Sequence, residues 1–167
     1  MKFEIQKILP LSGNRASIYT IYNTTTSETL LDQFIRENET DFEEEVDDLI
    51  ARLNTIGHKT GLRVQYIKVD EGKLGDGVVA LFDEPDKSLR LYCIKMSNIT
   101  LIVGGGGNKP KGMKAFQESE KLTAENYFLR AVSKLIDRRL KDKDIRYNQD
   151  GMDLMGDLSF EDTDLKY

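Results

Sequence analysis

The chain has 167 residues, with 24 basic and 29 acidic side chains for a net charge of −5, and it holds one cysteine, one histidine and no tryptophan. That length is one ordinary domain with one core, and 39% hydrophobic with 32% charged residues excludes a disordered or membrane-embedded chain. Cys93 and His58 stand alone, which excludes an internal disulfide and leaves too few ligands for zinc and too few bases for Cys–His–Asn machinery. Neither a metal nor a cofactor is expected.

Residues 2–9 and 17–23 alternate polar and apolar positions around a Pro/Ser/Gly/Asn cluster at 10–15, the pattern of a first strand pair. Thr25-x-x-Glu28 and Thr40-x-x-Glu43 have the form of capping boxes ahead of two helices. In the second helix Phe42, Val46, Leu49, Ile50, Leu53 and Ile56 fall on one face, Glu44, Glu45, Asp47 and Asp48 on the other, and Gly57 is the expected stop. Four β-type runs follow at 62–69, 78–83, 88–96 and 99–103. Their connections are too short for parallel crossovers, so they predict an antiparallel meander.

A short helix is expected over 113–122 and a longer one from 123 to about 140. In the longer one Phe128, Ala131, Val132, Leu135 and Ile136 are in register, with Tyr127 and Phe128 as core or partner-facing aromatics. Asp150-Gly151 signals a hairpin within 145–160. The expected architecture is α+β: a single domain over 1–167, with an antiparallel meander packed against N-terminal helices. Its core covers about 1–122, a C-terminal helix and hairpin extension covers 123–160, and an acidic tail without structure covers 161–167. No run approaches the ~20 apolar residues of a spanning helix, and the first residues do not read as a signal peptide. The cytosol is the expected compartment.

The charge is segregated. Residues 1–60 carry −5, residues 101–148 carry +5 and residues 149–167 carry −5. A basic stretch between two acidic ones flags a polyanion-binding region, and Lys134, Arg138, Arg139, Lys141 and Lys143 also suit an ordinary solvated helix face.

Two stretches can carry chemistry. Residues 99–112 run from an apolar strand into Gly104, Gly105, Gly106 and Gly107, then Lys109 and Lys111. Glycines between strand and helix can present amides to phosphate, although neither the Walker nor the dinucleotide spacing is present. The second is a set of cations projected by the sheet: Arg63, Lys68, Arg90 and Lys95. Alternation puts Arg90 and Tyr92 on one face and Leu89, Leu91 and Cys93 on the other. Arg90, Lys109 and Lys111 with the Tyr92 phenol could then converge on one concave face. Such a group can cleave RNA without metal, its cations stabilising the charge that builds on the phosphorane oxygens. The plain alternative is a cross-strand ion pair by Arg90.

The order of elements resembles the RelE/HigB-like toxins of bacterial toxin–antitoxin modules, in their phage-derived HigB-like branch. Locally, Gly77-Val-Val-Ala-Leu-Phe82 is similar to the family's strand ending in Glu-Leu-Arg, and Leu89-Arg90-Leu91-Tyr92 to its Tyr-Arg-Val-Leu-Tyr strand. Residues 99–103 are similar to its apolar strand, and Asn108-Lys109-Pro110-Lys111 to its Lys-Lys-Thr-x-x-Thr-Pro segment. The resemblance implies a ribosome-dependent mRNA endoribonuclease or translation inhibitor, metal-free and neutralised by a cognate antitoxin such as a helix-turn-helix protein. It implies Arg90, Lys109 and Lys111 as phosphate-contacting or catalytic residues, with Tyr92 beside them. The further cations Arg63, Lys68, Lys95 and Lys114 are expected to bind RNA. Two alternatives stay open: a non-catalytic protein-binding module of the same fold, and a phosphate or nucleotide binder through residues 104–111.

Overall fold

The computed structural model describes residues 1–68, 77–81, 88–109 and 119–167. The fold is α+β: a mixed, mostly antiparallel eight-stranded sheet with three helices packed on it and a small C-terminal hairpin. Strands β1 (Lys2–Lys7) and β2 (Ser17–Asn23) form the predicted antiparallel pair. Strands β4 (Ile67–Lys68), β5 (Val78–Leu81), β6 (Leu89–Ser97) and β7 (Thr100–Asn108) form the predicted meander. The two units join through β2 and β7, which run parallel with Ser17 opposite Thr100. This departs from the all-antiparallel expectation. The connection between the two strands carries two helices and the rest of the meander, ample length for a parallel return. The two-residue β3 (Glu28–Thr29) pairs with β2.

Both faces of the sheet are covered, and alternation along each strand decides which side chain goes where. Helices α1 (Leu30–Asn38) and α2 (Glu43–Thr55) bury Leu31, Phe34, Val46, Leu49 and Leu53 against Ile18, Val79, Leu91, Cys93, Leu101 and Val103. The other face receives α3 (Glu120–Lys141), whose Leu122, Leu129, Val132 and Ile136 pack on Tyr19, Ala80, Tyr92, Ile94 and Ile102. The C-terminal helix therefore supplies much of the cover of that face, with Ile145, Leu154 and Leu165 in the same cluster.

Several local starts and stops differ from the sequence reading. The α1 cap is Thr29, whose hydroxyl accepts from Asp32 N at 3.0 Å, and residues 25–27 instead make a turn with Ser27 at φ 56°. The N-cap position of α2 is Phe42, without a side-chain cap. Its first turn holds Glu43, Glu44 and Glu45, which complement the helix dipole. Gly57 does not end that helix. The chain continues as a π turn (Ile56–Thr60), and the stop is Gly61 at φ 71°.

The C-terminal region is tied into the sheet. Asp150-Gly151 turns the hairpin of β8 (Ile145–Tyr147) and β9 (Leu154–Gly156), and β10 (Ser159–Glu161) pairs with β1 at the sheet edge. The acidic segment expected to lack structure is ordered. Glu161 and Asp164 form a reciprocal capping box around a 3-10 turn, Asp162 pairs with the N-terminal amine at 3.0 Å, and Leu165 is buried. The expected short helix over 113–122 lies mostly outside the described residues, and α3 begins at Glu120 behind a Ser119 cap.

Candidate functional site

The glycine run is strand, not loop. Gly104 through Gly107 belong to β7, and none has a positive φ. Between the pairs Leu91–Gly106 and Cys93–Val103, Tyr92 stands opposite both Gly104 and Gly105, which makes a β-bulge. What the glycines provide is space. A Cβ on Gly104 would lie 2.9 Å from Leu129 of α3, one on Gly105 would overlap the Glu125 carboxylate, and one on Gly107 would meet Lys121 Cγ at 3.3 Å. The N-terminal half of α3 thus lies directly on the bare backbone of β7. The alternation of conformations that cups a phosphate with backbone amides is absent from this run.

Above the glycines, Lys121 Nζ reaches Glu125 at 2.8 Å and Glu37 of α1 at 3.2 Å, joining the helices of the two layers. Burial draws the Lys121 pKa down, but the two carboxylates outweigh it and hold the ammonium above its usual value.

Arg90 and Lys109 lie toward one end of the β6–β7 pair. Arg90 stands opposite Gly107, and Lys109 follows Asn108, with its amide donating to Ser88 O at 2.8 Å. Alternation places both side chains on the α3 face. Arg90 is buried, 8% exposed, and its Nη1 donates to Leu89 O at 3.1 Å, while Lys109 is half-buried.

The other candidates are distributed differently. Tyr92 shares the Arg90 face as expected, and at 0% exposure it lies inside the core. Lys68 pairs with Ala80, itself opposite Tyr92, which puts it on the same face but on the outermost strand. Lys95 stands at the far end of β6 and alternates onto the α1–α2 face. Arg63 is exposed ahead of the 3-10 turn Val64–Tyr66. Lys111 and Lys114 lie outside the described residues. The structure therefore brings together Arg90 and Lys109, and separates them from Arg63 and Lys95.

A polar cluster that sequence reasoning missed gathers at the other end of β7. Asp153 Oδ1 accepts from Ser17 Oγ at 2.6 Å and Lys7 Nζ at 2.9 Å, Leu154 N donates to the Tyr19 hydroxyl at 2.9 Å, and Thr100 Oγ1 donates to Met152 O at 2.8 Å. The Ser17 hydrogen bond and then Lys7 hold the Asp153 carboxyl below the usual carboxylate range. A carboxylate held ionised by two donors is a poor proton acceptor for a serine. The cluster fastens the hairpin loop to β2 and β7, and no spacing signal links residues 7, 17 and 153.

His58 Nε2 lies 3.0 Å from Pro10 O. A carbonyl only accepts, so the proton sits on Nε2 and the ring ties the π turn to the β1–β2 connection. Cys93 is buried, and burial pushes its thiol pKa up. Among the described residues no group of His, Cys, Asp or Glu could hold a metal, and no helix is long and apolar enough to cross a membrane. No protein-family model, curated protein or solved structure matches this chain.

Proposed function

We propose that this chain is a toxin of the RelE/HigB-like kind, which binds and cleaves translated mRNA at the ribosome without metal and is neutralised by a cognate antitoxin. The observation that carries the reading is the placement of Arg90 and Lys109 on one face toward one end of β6 and β7. The guanidinium offers a planar fork of donors and the ammonium a compact second cation. Together they suit a scissile phosphate. The 2′ oxygen attacks the adjacent phosphorus and the 5′ oxygen leaves, giving a 2′,3′-cyclic phosphate and a 5′ hydroxyl. One proton is lost at the attacking oxygen and one is gained at the leaving oxygen, with the cations stabilising the charge between those events.

The test is a cell-free translation reaction with a defined mRNA, chelator present, and cut sites mapped by primer extension. The wild-type chain is expected to cut and Lys109→Ala to reduce cutting ~100-fold, the scale on which loss of one transition-state donor acts. An intact message with the wild type contradicts the reading.

The burial of Arg90 and Tyr92 favours a second reading, a module of the same kind that binds a protein partner and does not cleave RNA. It predicts a stable complex with a helix-turn-helix or similar antitoxin-like protein alongside an intact message.

A further inference from the structure

Helices α1 and α2 leave between them a groove of about 350 Å³ lined by Ile35, Glu39, Glu43, Val46, Asp47 and Ile50. Ile35 and Glu39 stand at i and i+4 along α1 and its cap, and the other four at i, i+3, i+4 and i+7 of α2, so each wall is a single helical strip. Val46 is buried and Ile35 and Ile50 are half-buried against the same core, while Glu39, Glu43 and Asp47 are exposed. The apolar side chains therefore make the floor and the carboxylates the rim.

The rim charge works against the isolated chain. Glu39 is the C-cap of α1, the end where the helix dipole disfavours an anion, and Asp47 stands one turn beyond Glu43, a like-charge pair at i and i+4. Among the described residues no cation pairs with any of these three carboxylates. The one arginine of each helix is engaged elsewhere, Arg36 with Glu28 at 2.9 Å and Arg52 over the Tyr66 ring at 4.0 Å. Two neighbouring acids, by contrast, serve the fold: Glu45 accepts from Ser88 N at 2.6 Å and Glu37 pairs with Lys121 at 3.2 Å.

We propose that this groove docks a basic amphipathic helix of a partner protein, its apolar row on Ile35, Val46 and Ile50 and its Lys or Arg side chains among Glu39, Glu43 and Asp47. An amphipathic helix laid in a groove uses floor and rim together, and opposite charge at the rim sets its register and rejects acidic partners. A divalent cation would use the carboxylates and leave the floor idle, and among the described residues no group of acids could hold a metal. A second copy of this chain would offer the exposed Lys134, Arg138 and Lys141 of α3, but the apolar row of that helix, Leu129, Val132 and Ile136, is spent on its own sheet. A helix that carries both features therefore comes from another protein. The inference goes beyond the toxin reading and does not depend on it, because the groove belongs to the α1–α2 layer and Arg90 and Lys109 project to the α3 face.

Fluorescence anisotropy of a labelled, capped Leu/Lys peptide with leucines at i, i+3, i+4 and i+7, titrated with the full chain, tests it. A scrambled peptide of the same composition, a Lys-only peptide and a Leu/Glu peptide of the same spacing serve as comparisons. The amphipathic basic peptide is expected to bind at least ~10-fold more tightly than each of the three. Asp47→Lys is expected to weaken that binding at least ~5-fold and Ile50→Ser about as much, with unchanged circular dichroism. Glu44→Lys makes the same change of charge on the same helix outside the groove lining, and is expected to weaken it less than ~2-fold. Silence toward the amphipathic peptide, equal binding of the scrambled or Lys-only peptide, or equal effects of Glu44→Lys and Asp47→Lys would overturn the proposal. Self-association of the chain in sedimentation that Asp47→Lys abolishes would assign the groove to a second copy and overturn it too. RNA cleavage plays no part in these titrations, so failure of the toxin reading is distinguishable from failure of this one.

Discussion

Gly106 and Arg90 touch through their backbones: a Cβ on Gly106 would overlap the Arg90 carbonyl. This contact sets the path of β7 past β6 beside the bulge, and with it the position from which Lys109 emerges next to Arg90. Replacing Gly106 by alanine pushes one strand off the other, and backbone cannot swing aside as a side chain can. Gly106→Ala is expected to cost about 1–3 kcal/mol, a fall in Tm of about 3–10 °C for a chain of this size. Gly107→Ala meets side chains alone, Lys121 Cγ at 3.3 Å and Leu122 Cδ2 at 3.7 Å, and is expected to change stability by less than about 0.5 kcal/mol. Calorimetric melting of the two variants compares them directly, and equal losses would contradict the close backbone approach.

Asp153 gives the fold an acid limit. Its folded pKa lies below the unfolded value, so its contribution is fully present above the unfolded carboxyl pKa of about 3.9 and is lost as pH falls through the lower folded value. Asp153→Ala also leaves the buried Ser17 hydroxyl without its acceptor, at a cost of about 1–3 kcal/mol. The Tm gap between wild type and variant is expected to be largest above pH 5 and to shrink toward pH 2. A gap independent of pH would contradict the assignment.

Cys93 lies in the core beside Leu91 and Val79, and burial raises its thiol pKa. The native chain is expected to react with a disulfide reagent at least ~100-fold more slowly than the unfolded chain, which releases one thiol equivalent. Rapid labelling without denaturant would contradict the packing of β6 beneath α2.

Periodicity carried the sequence reading a long way. The alternation in β1 and β2, the apolar face of α2, the short meander connections and Asp150-Gly151 each have a local cause, and each appears where the pattern places it. The parallel pairing of β2 with β7 has no local cause: Ser17 and Thr100 are brought together by long-range closure. Gly104 through Gly107 misled for a different reason. Glycine permits turns, but it also permits contact, and only the position of Leu129 and Lys121 decides between them. Arg90 and Tyr92 were placed on the right face, yet the cover of Tyr92 comes from a helix more than twenty-five residues on, which no strand pattern reveals.

The proposed role of Arg90 and Lys109 is tested most directly by growth of a bacterial culture expressing this chain from an inducible promoter with no antitoxin partner. Induction of the wild type is expected to arrest growth within a generation, and Lys109→Ala, a half-buried position at a strand end, to relieve the arrest while the purified variant keeps its Tm. Unimpeded growth with the folded wild-type chain accumulating in the cells would contradict the toxin reading.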